Sequence, residues 1–111
     1  MKIVKCDEVP VTVSPRGPKV RQLLALKDIA VTEVLLEPAQ VLPRHSTPVD
    51  VVFYVKSGSG YVIIGDEKEP VTAGSLVESP KMVPHSLEAA LDGIFDVLVL
   101  KTPNPAQVKK E

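Results

Sequence analysis

Apolar residues along this chain come in short alternating runs, and none of the runs keeps the spacing of a helix. The pattern is clearest in Thr32-Glu33-Val34-Leu35-Leu36-Glu37 and in Ile94-Phe95-Asp96-Val97-Leu98-Val99-Leu100. A period of two places every second side chain on one face of an extended strand. Proline and glycine punctuate the chain so often that no window of about twelve residues is both free of breakers and helically periodic. The spacing predicts strands over about 2–5, 10–13, 19–25, 30–37, 40–45, 50–56, 60–65, 69–72, 75–79, 84–91 and 94–101. Ser57-Gly58-Ser59-Gly60, Gly65-Asp66-Glu67-Lys68 and Ala90-Leu91-Asp92-Gly93 predict hairpin turns. Many short antiparallel strands with regular turn signals predict an all-β jelly roll, a barrel of two antiparallel sheets.

Composition narrows the class of partner. The 111 residues are the length of one domain, and a chain of this size folds without a disulfide or a structural metal. Thirteen basic and fourteen acidic residues nearly cancel, and the aromatic residues are only Phe53, Tyr54, Tyr61 and Phe95. Neither a basic face nor a base-stacking platform is present, so no nucleic-acid partner is expected. Cys6 is the single cysteine and cannot form an internal disulfide, which suits a reducing, cytoplasmic setting. It has no base beside it in sequence and is not read as a nucleophile. Asp7, Glu8 and Pro10 interrupt any signal-like run, and no stretch approaches the ~20 apolar residues of a membrane helix, so no membrane partner is expected.

The chemistry concentrates on two histidines, His45 and His85. The first lies in Ala39-Gln40-Val41-Leu42-Pro43-Arg44-His45-Ser46-Thr47-Pro48-Val49-Asp50-Val51, which continues to Gly58. The second ends Gly74-Ser75-Leu76-Val77-Glu78-Ser79-Pro80-Lys81-Met82-Val83-Pro84-His85. These segments resemble the two signature motifs of the cupins over about residues 39–89. His45, Gly58, Gly74, Pro80 and His85 match. Ala39 and Met82 stand where the motifs place glycine, Thr47 where they place a second histidine, Val51 a glutamate and Ala89 an asparagine. The resemblance implies one cupin-type barrel domain over 1–111, with its motif-bearing core at 39–89. Residues 1–30 are expected to supply extra strands, exchanged with a partner in a homodimer. Tyr54, opposite in parity to Phe53, is a candidate interface residue, and residues 104–111 are expected to form a flexible tail.

Strand parity places His45, Thr47, Val51 and Phe53 on one face and His85, Leu87 and Ala89 on another. If both faces line the interior, the ligand pocket is two imidazoles and a hydroxyl set in an apolar wall, a composition suited to an unidentified small molecule. The resemblance also implies a metal at His45 and His85, one divalent transition ion such as Zn, Fe, Mn or Ni. The expected carboxylate ligand is missing at Val51. Asp50, Glu78, Glu33 and Asp96 are candidates to replace it, with Gln40 a neutral one. The preferred reading is a small-molecule-binding barrel with a weakened metal site. The alternative is a metal-dependent enzyme of dioxygenase, isomerase or decarboxylase type, using both histidines and one of those carboxylates.

Overall fold

A computed structural model describes residues 1–107. Its ten strands are β1 (Thr12–Val13), β2 (Lys19–Ala25), β3 (Ala30–Leu36), β4 (Val41–His45), β5 (Asp50–Ser57), β6 (Ser59–Ile64), β7 (Glu67–Thr72), β8 (Leu76–Ser79), β9 (His85–Ala89) and β10 (Phe95–Thr102). They form a six-stranded sheet in the order β1-β2-β3-β10-β5-β8 and a four-stranded sheet in the order β4-β9-β6-β7. Every pairing is antiparallel. The alternation is the cause of the core: each sheet turns every second side chain inward. Val34, Leu36, Phe53, Val55, Val97 and Val99 of the larger sheet meet Leu42, Val62, Leu87 and Ala89 of the smaller one. Lys56 and Tyr54, of the other parity on β5, face outward.

Two of the expected hairpins are crossings between sheets. β5 and β6 belong to different sheets, and so do β9 and β10, so Gly58 and the Ala90–Gly93 segment carry the chain across the sandwich. Turn chemistry marks a reversal of the chain but not which sheet the next strand joins. Gly58 has φ +80, and a side chain there would run into the carbonyl of Ile94, so the crossing demands glycine. Gly65-Asp66 does close a hairpin, with Ile64 opposite Glu67.

The chain ends differ from expectation as well. Residues 2–5 find no ladder partner, and the N-terminal segment instead forms a short 3-10 turn at Cys6–Glu8. The Nε–H of Arg21 donates to the Val9 carbonyl at 3.1 Å. β1 pairs with β2, and β2 with β3. Asn104 belongs to no loose tail: its side-chain amide donates to the Leu26 carbonyl at 3.0 Å, and a 3-10 turn follows at Pro105–Gln107. The rest of the expected tail, 108–111, lies outside the described residues.

Ala39 and Met82 have φ of 65 and 68. Both are in the left-handed region that L-residues avoid, which gives a physical reason for the glycines that the cupin motifs place there. A left-handed alanine or methionine costs roughly 1–2 kcal/mol, part of which glycine returns through its larger unfolded-state entropy. Ala39→Gly and Met82→Gly should therefore each stabilise the fold by about 0.5–1 kcal/mol, read as a higher denaturant midpoint with an unchanged slope. A lower midpoint in both variants would mean that neither backbone is left-handed in solution.

Candidate functional site

β4 and β9 lie side by side, and the register between them builds the site. Leu42 stands opposite Leu87, yet His45 stands opposite His85, so β4 takes three steps where β9 takes two. The extra residue is a bulge at Pro43-Arg44, where proline has no N–H to give to the ladder. It reverses the parity of β4, so Leu42 and His45 both point inward. His85 is buried at 3% exposure, and His45 is half-buried.

The two rings meet edge to face, with centroids 4.6 Å apart and planes at 85°. Phe53 packs against the His85 ring at 5.2 Å and 77°. His45 Nδ1 lies 2.8 Å from the Pro43 carbonyl. A carbonyl only accepts, so this contact holds a proton on Nδ1 and turns the lone pair of Nε2 toward His85. His85 Nε2 is 3.3 Å from His45 Nε2 and 3.2 Å from Thr47 Oγ1, while its Nδ1 is 2.7 Å from Ser79 Oγ.

Ser79 and Thr47 are hydroxyls, able to donate or accept, and so they permit both tautomers of His85. In one, His85 donates from Nε2 to His45 and accepts from Ser79 at Nδ1. In the other, it donates from Nδ1 to Ser79 and leaves two Nε2 lone pairs facing each other. Burial holds both imidazoles below the usual histidine range, His85 at about 4, and the charges of Arg16 and Lys101 add to the effect. The pair is neutral at physiological pH.

The histidines open onto a cavity of about 590 Å³ between the sheets, within the ~300–1,000 Å³ usual for small-molecule sites. Its wall includes Phe53, Val34, Leu42 and Val99, with Lys101 on β10 and Arg16 in the turn between β1 and β2. Of the expected pocket residues, His45, His85 and Phe53 line this cavity. Thr47 is buried behind His85 and touches it. Val51, Leu87 and Ala89 face inward but pack in the core instead of lining the cavity wall. Ser79, Arg16 and Lys101 are additions. The parity that Lys101 shares with Val97 and Val99 is the one sequence signal that could have found it.

The architecture and the sequence agree on a family. The family model for the cupin domain matches residues 32–101, well over half the chain. This chain belongs to the cupin family. Solved structures of the same fold include KdgF from Halomonas sp., at 19% identity over 93% of this chain and 94% of that one, with a TM-score of 0.84. The polyketide cyclase RemF from Streptomyces resistomycificus aligns at 21% identity over 92% and 79%, with a TM-score of 0.82. A predicted oxalate decarboxylase from Thermotoga maritima aligns at 18% identity over 92% and 99%, with a TM-score of 0.80. At such identities the likeness is one of fold. No curated protein matches the sequence.

In this cupin none of the candidate carboxylates reaches the histidine pair. Asp50 Oδ1 accepts the Lys81 N–H at 2.9 Å on the exterior. Glu78 is exposed on the far side of β8 from Ser79, and Gln40 Oε1 accepts the Glu37 N–H. Glu33 and Asp96 face the outer side of the large sheet, where Glu33 is fully buried between Arg21 at 3.1 Å and Lys56 at 2.9 Å. The parity of each on its strand turns it away from the cavity. Among the described residues no three His, Cys, Asp or Glu side chains converge on a metal-sized space.

The histidine spacing suits a metal, since two nitrogens on one tetrahedral zinc stand about 3.3–3.4 Å apart. The donor set does not. Two imidazoles and a neutral hydroxyl fall short of the three strong protein donors that zinc sites take, and of the carboxylate that non-haem iron takes.

The outer cluster is itself unusual. Burial would raise the Glu33 carboxyl, but hydrogen bonds from Asp96, Lys56 and Arg21 outweigh it and hold Glu33 below the ordinary range. Asp96 takes the opposite course. Burial and the adjacent Glu33 push it up to about 7, and its Oδ1 is buried without a partner among the described residues. The two shifts run in opposite directions, so Asp96 is the member of the pair that takes up a proton first as pH falls.

Asp96 and His85 therefore oppose each other in the metal-free cupin. From the unfolded value of 3.8 up to about 7, the native Asp96 holds a proton the unfolded chain has released, so it favours folding more as pH falls. From 6.5 down to about 4, the unfolded chain takes up a proton that buried His85 refuses, so stability is lost as pH falls. Asp96→Asn removes only the first effect. Its melting temperature should drop steadily from pH 7 to about 4, while that of the parent stays flatter. Parallel melting curves would show that Asp96 does not take up a proton first.

Proposed function

We propose that this cupin is a small-molecule-binding barrel whose ligand is held by His45 and His85, with only a residual affinity for metal. The observation that carries the reading is the 3.3 Å approach of two neutral Nε2 atoms at the wall of a ligand-sized cavity. The Pro43 contact keeps His45 an acceptor, and the Ser79 hydroxyl lets His85 donate or accept. Together they offer a ligand hydroxyl or carbonyl one acceptor and one switchable partner, against the apolar wall that such pockets use for affinity. A metal-dependent enzyme of the oxygenase type would need a carboxylate beside the pair, and none of the candidates reaches it.

Metal content and titration test this directly. The natural protein should be purified with far less than one equivalent of transition metal and bind added zinc weakly, and His45→Ala or His85→Ala should abolish that binding. Thr47 already touches His85, so Thr47→His supplies a third imidazole and should raise zinc affinity by at least about 100-fold, by completing the usual donor number. A stoichiometric metal in the natural protein that resists chelation would overturn the reading in favour of the enzyme.

A further inference from the structure

Among the described residues, the cavity wall holds two cations and no acid. Arg16 reaches it from the turn between β1 and β2, and Lys101 from the inward face of β10, while none of its lining residues is aspartate or glutamate. This contrasts with the chain as a whole, where acidic residues outnumber basic ones by fourteen to thirteen. It contrasts also with the outer face of the same sheet, where Arg21 and Lys56 are both paired to Glu33. Among the described residues neither Arg16 nor Lys101 has a carboxylate within ion-pair distance. Lys101 is half-buried, and an ammonium withdrawn from water without a counter-charge is unfavourable. Besides the two histidines, the other polar residues lining the cavity are the neutral Thr12, Ser14, Gln22 and Thr32, donors and acceptors that carry no charge to cancel it.

We propose that Arg16 and Lys101 form the anion subsite of this pocket, and that its ligand is a small organic carboxylate. The charged end lies between the guanidinium and the ammonium, and an oxygen at the other end meets His45 and His85. A carboxylate fits better than a phosphate. Arginine can take a carboxylate in a two-pronged hydrogen bond, whereas a dianionic phosphate is usually cradled by several backbone N–H groups, and neither a helix start nor a glycine-rich loop borders the cavity. Arg16 sits in an exposed turn, closed by the Gly17 N–H to the Ser14 carbonyl at 3.0 Å, so it stands at the mouth while Lys101 stands within.

The proposal deepens the histidine-pocket reading and rests on it, but the two fail differently. The full-length protein is titrated calorimetrically at low salt with salicylate, gluconate and 2-oxoglutarate, with salicylamide and sorbitol as uncharged counterparts, and with inorganic phosphate. At least one carboxylate should bind about tenfold more tightly than its uncharged counterpart, and Arg16→Gln and Lys101→Met should each weaken it about tenfold. Lys101→Met should also raise the melting temperature of the ligand-free protein, since it removes an uncompensated charge. If Lys101→Met fails to fold, Arg16→Gln in its exposed turn decides alone. Carboxylate binding that needs Lys101 but survives His45→Ala would keep the anion subsite and sink the histidine reading. Salicylamide binding as tightly as salicylate, through His45 and regardless of Lys101, would do the reverse. Absence of binding by all three carboxylates, or equal binding of inorganic phosphate, would overturn the proposal.

Discussion

The single extra residue in β4 is the constraint on which the site depends. Without it, strand parity would carry Leu42 into the core and His45 out to solvent, and the imidazoles would lie on opposite sides of the small sheet. With it, the two rings stand opposite each other on adjacent strands. The bulge also frees the Pro43 carbonyl from the ladder, and that carbonyl fixes the His45 tautomer. One backbone irregularity thus sets position, orientation and protonation together. A histidine pair at this spacing needs neutral rings, and burial among Phe53, Thr47 and Ser79 keeps them neutral.

The large sheet shows two solutions to buried charge on its two faces. Outside, Glu33 is wholly sequestered yet compensated by Arg21 and Lys56, and burial together with Glu33 pushes the surplus carboxyl, Asp96, up to about 7. Inside, Lys101 has no such partner among the described residues, and burial together with Arg16 holds its ammonium below the ordinary lysine range. The first arrangement is closed: every charge has its partner within the protein, which is how buried ions become tolerable. The second is open, and an open charge inside a cavity is a position left for something that is not part of the chain.

Most of the fold was legible because it rests on a period of two. β2, β3, β4, β5 and β10 fall within a residue or so of the spans their alternation predicts, and the motif spacing around His45 and His85 pointed to the right barrel. Sheet membership was not legible. Ser57–Gly60 and Ala90–Gly93 read as hairpins because glycine reports local backbone freedom, while the choice between pairing and crossing is made by distant strands. The site was legible to the same depth. The two histidines and Phe53 were singled out by spacing, but Arg16 and Lys101 come from an N-terminal turn and the last strand, outside the run of either histidine, and Ser79 lies within the second run as a serine that nothing local distinguishes from Ser75. Glu33 and Asp96 were weighed as metal ligands because composition sees only that they are acids, whereas parity turns them to the other face.

Charge decides between the readings of the cavity more sharply than ligand count does. A divalent cation placed beside His45 and His85 would gain two neutral nitrogens and lose to two fixed positive charges in a partly dry space. Coulomb repulsion scales with the product of the charges, so a divalent ion feels twice the repulsion of a monovalent one. Metal sites in proteins reverse that sign with carboxylates or thiolates, and this wall has neither. The charges that repel a metal attract an anion, and the same field that discourages protonation of the histidines keeps their lone pairs available for a ligand's hydroxyl.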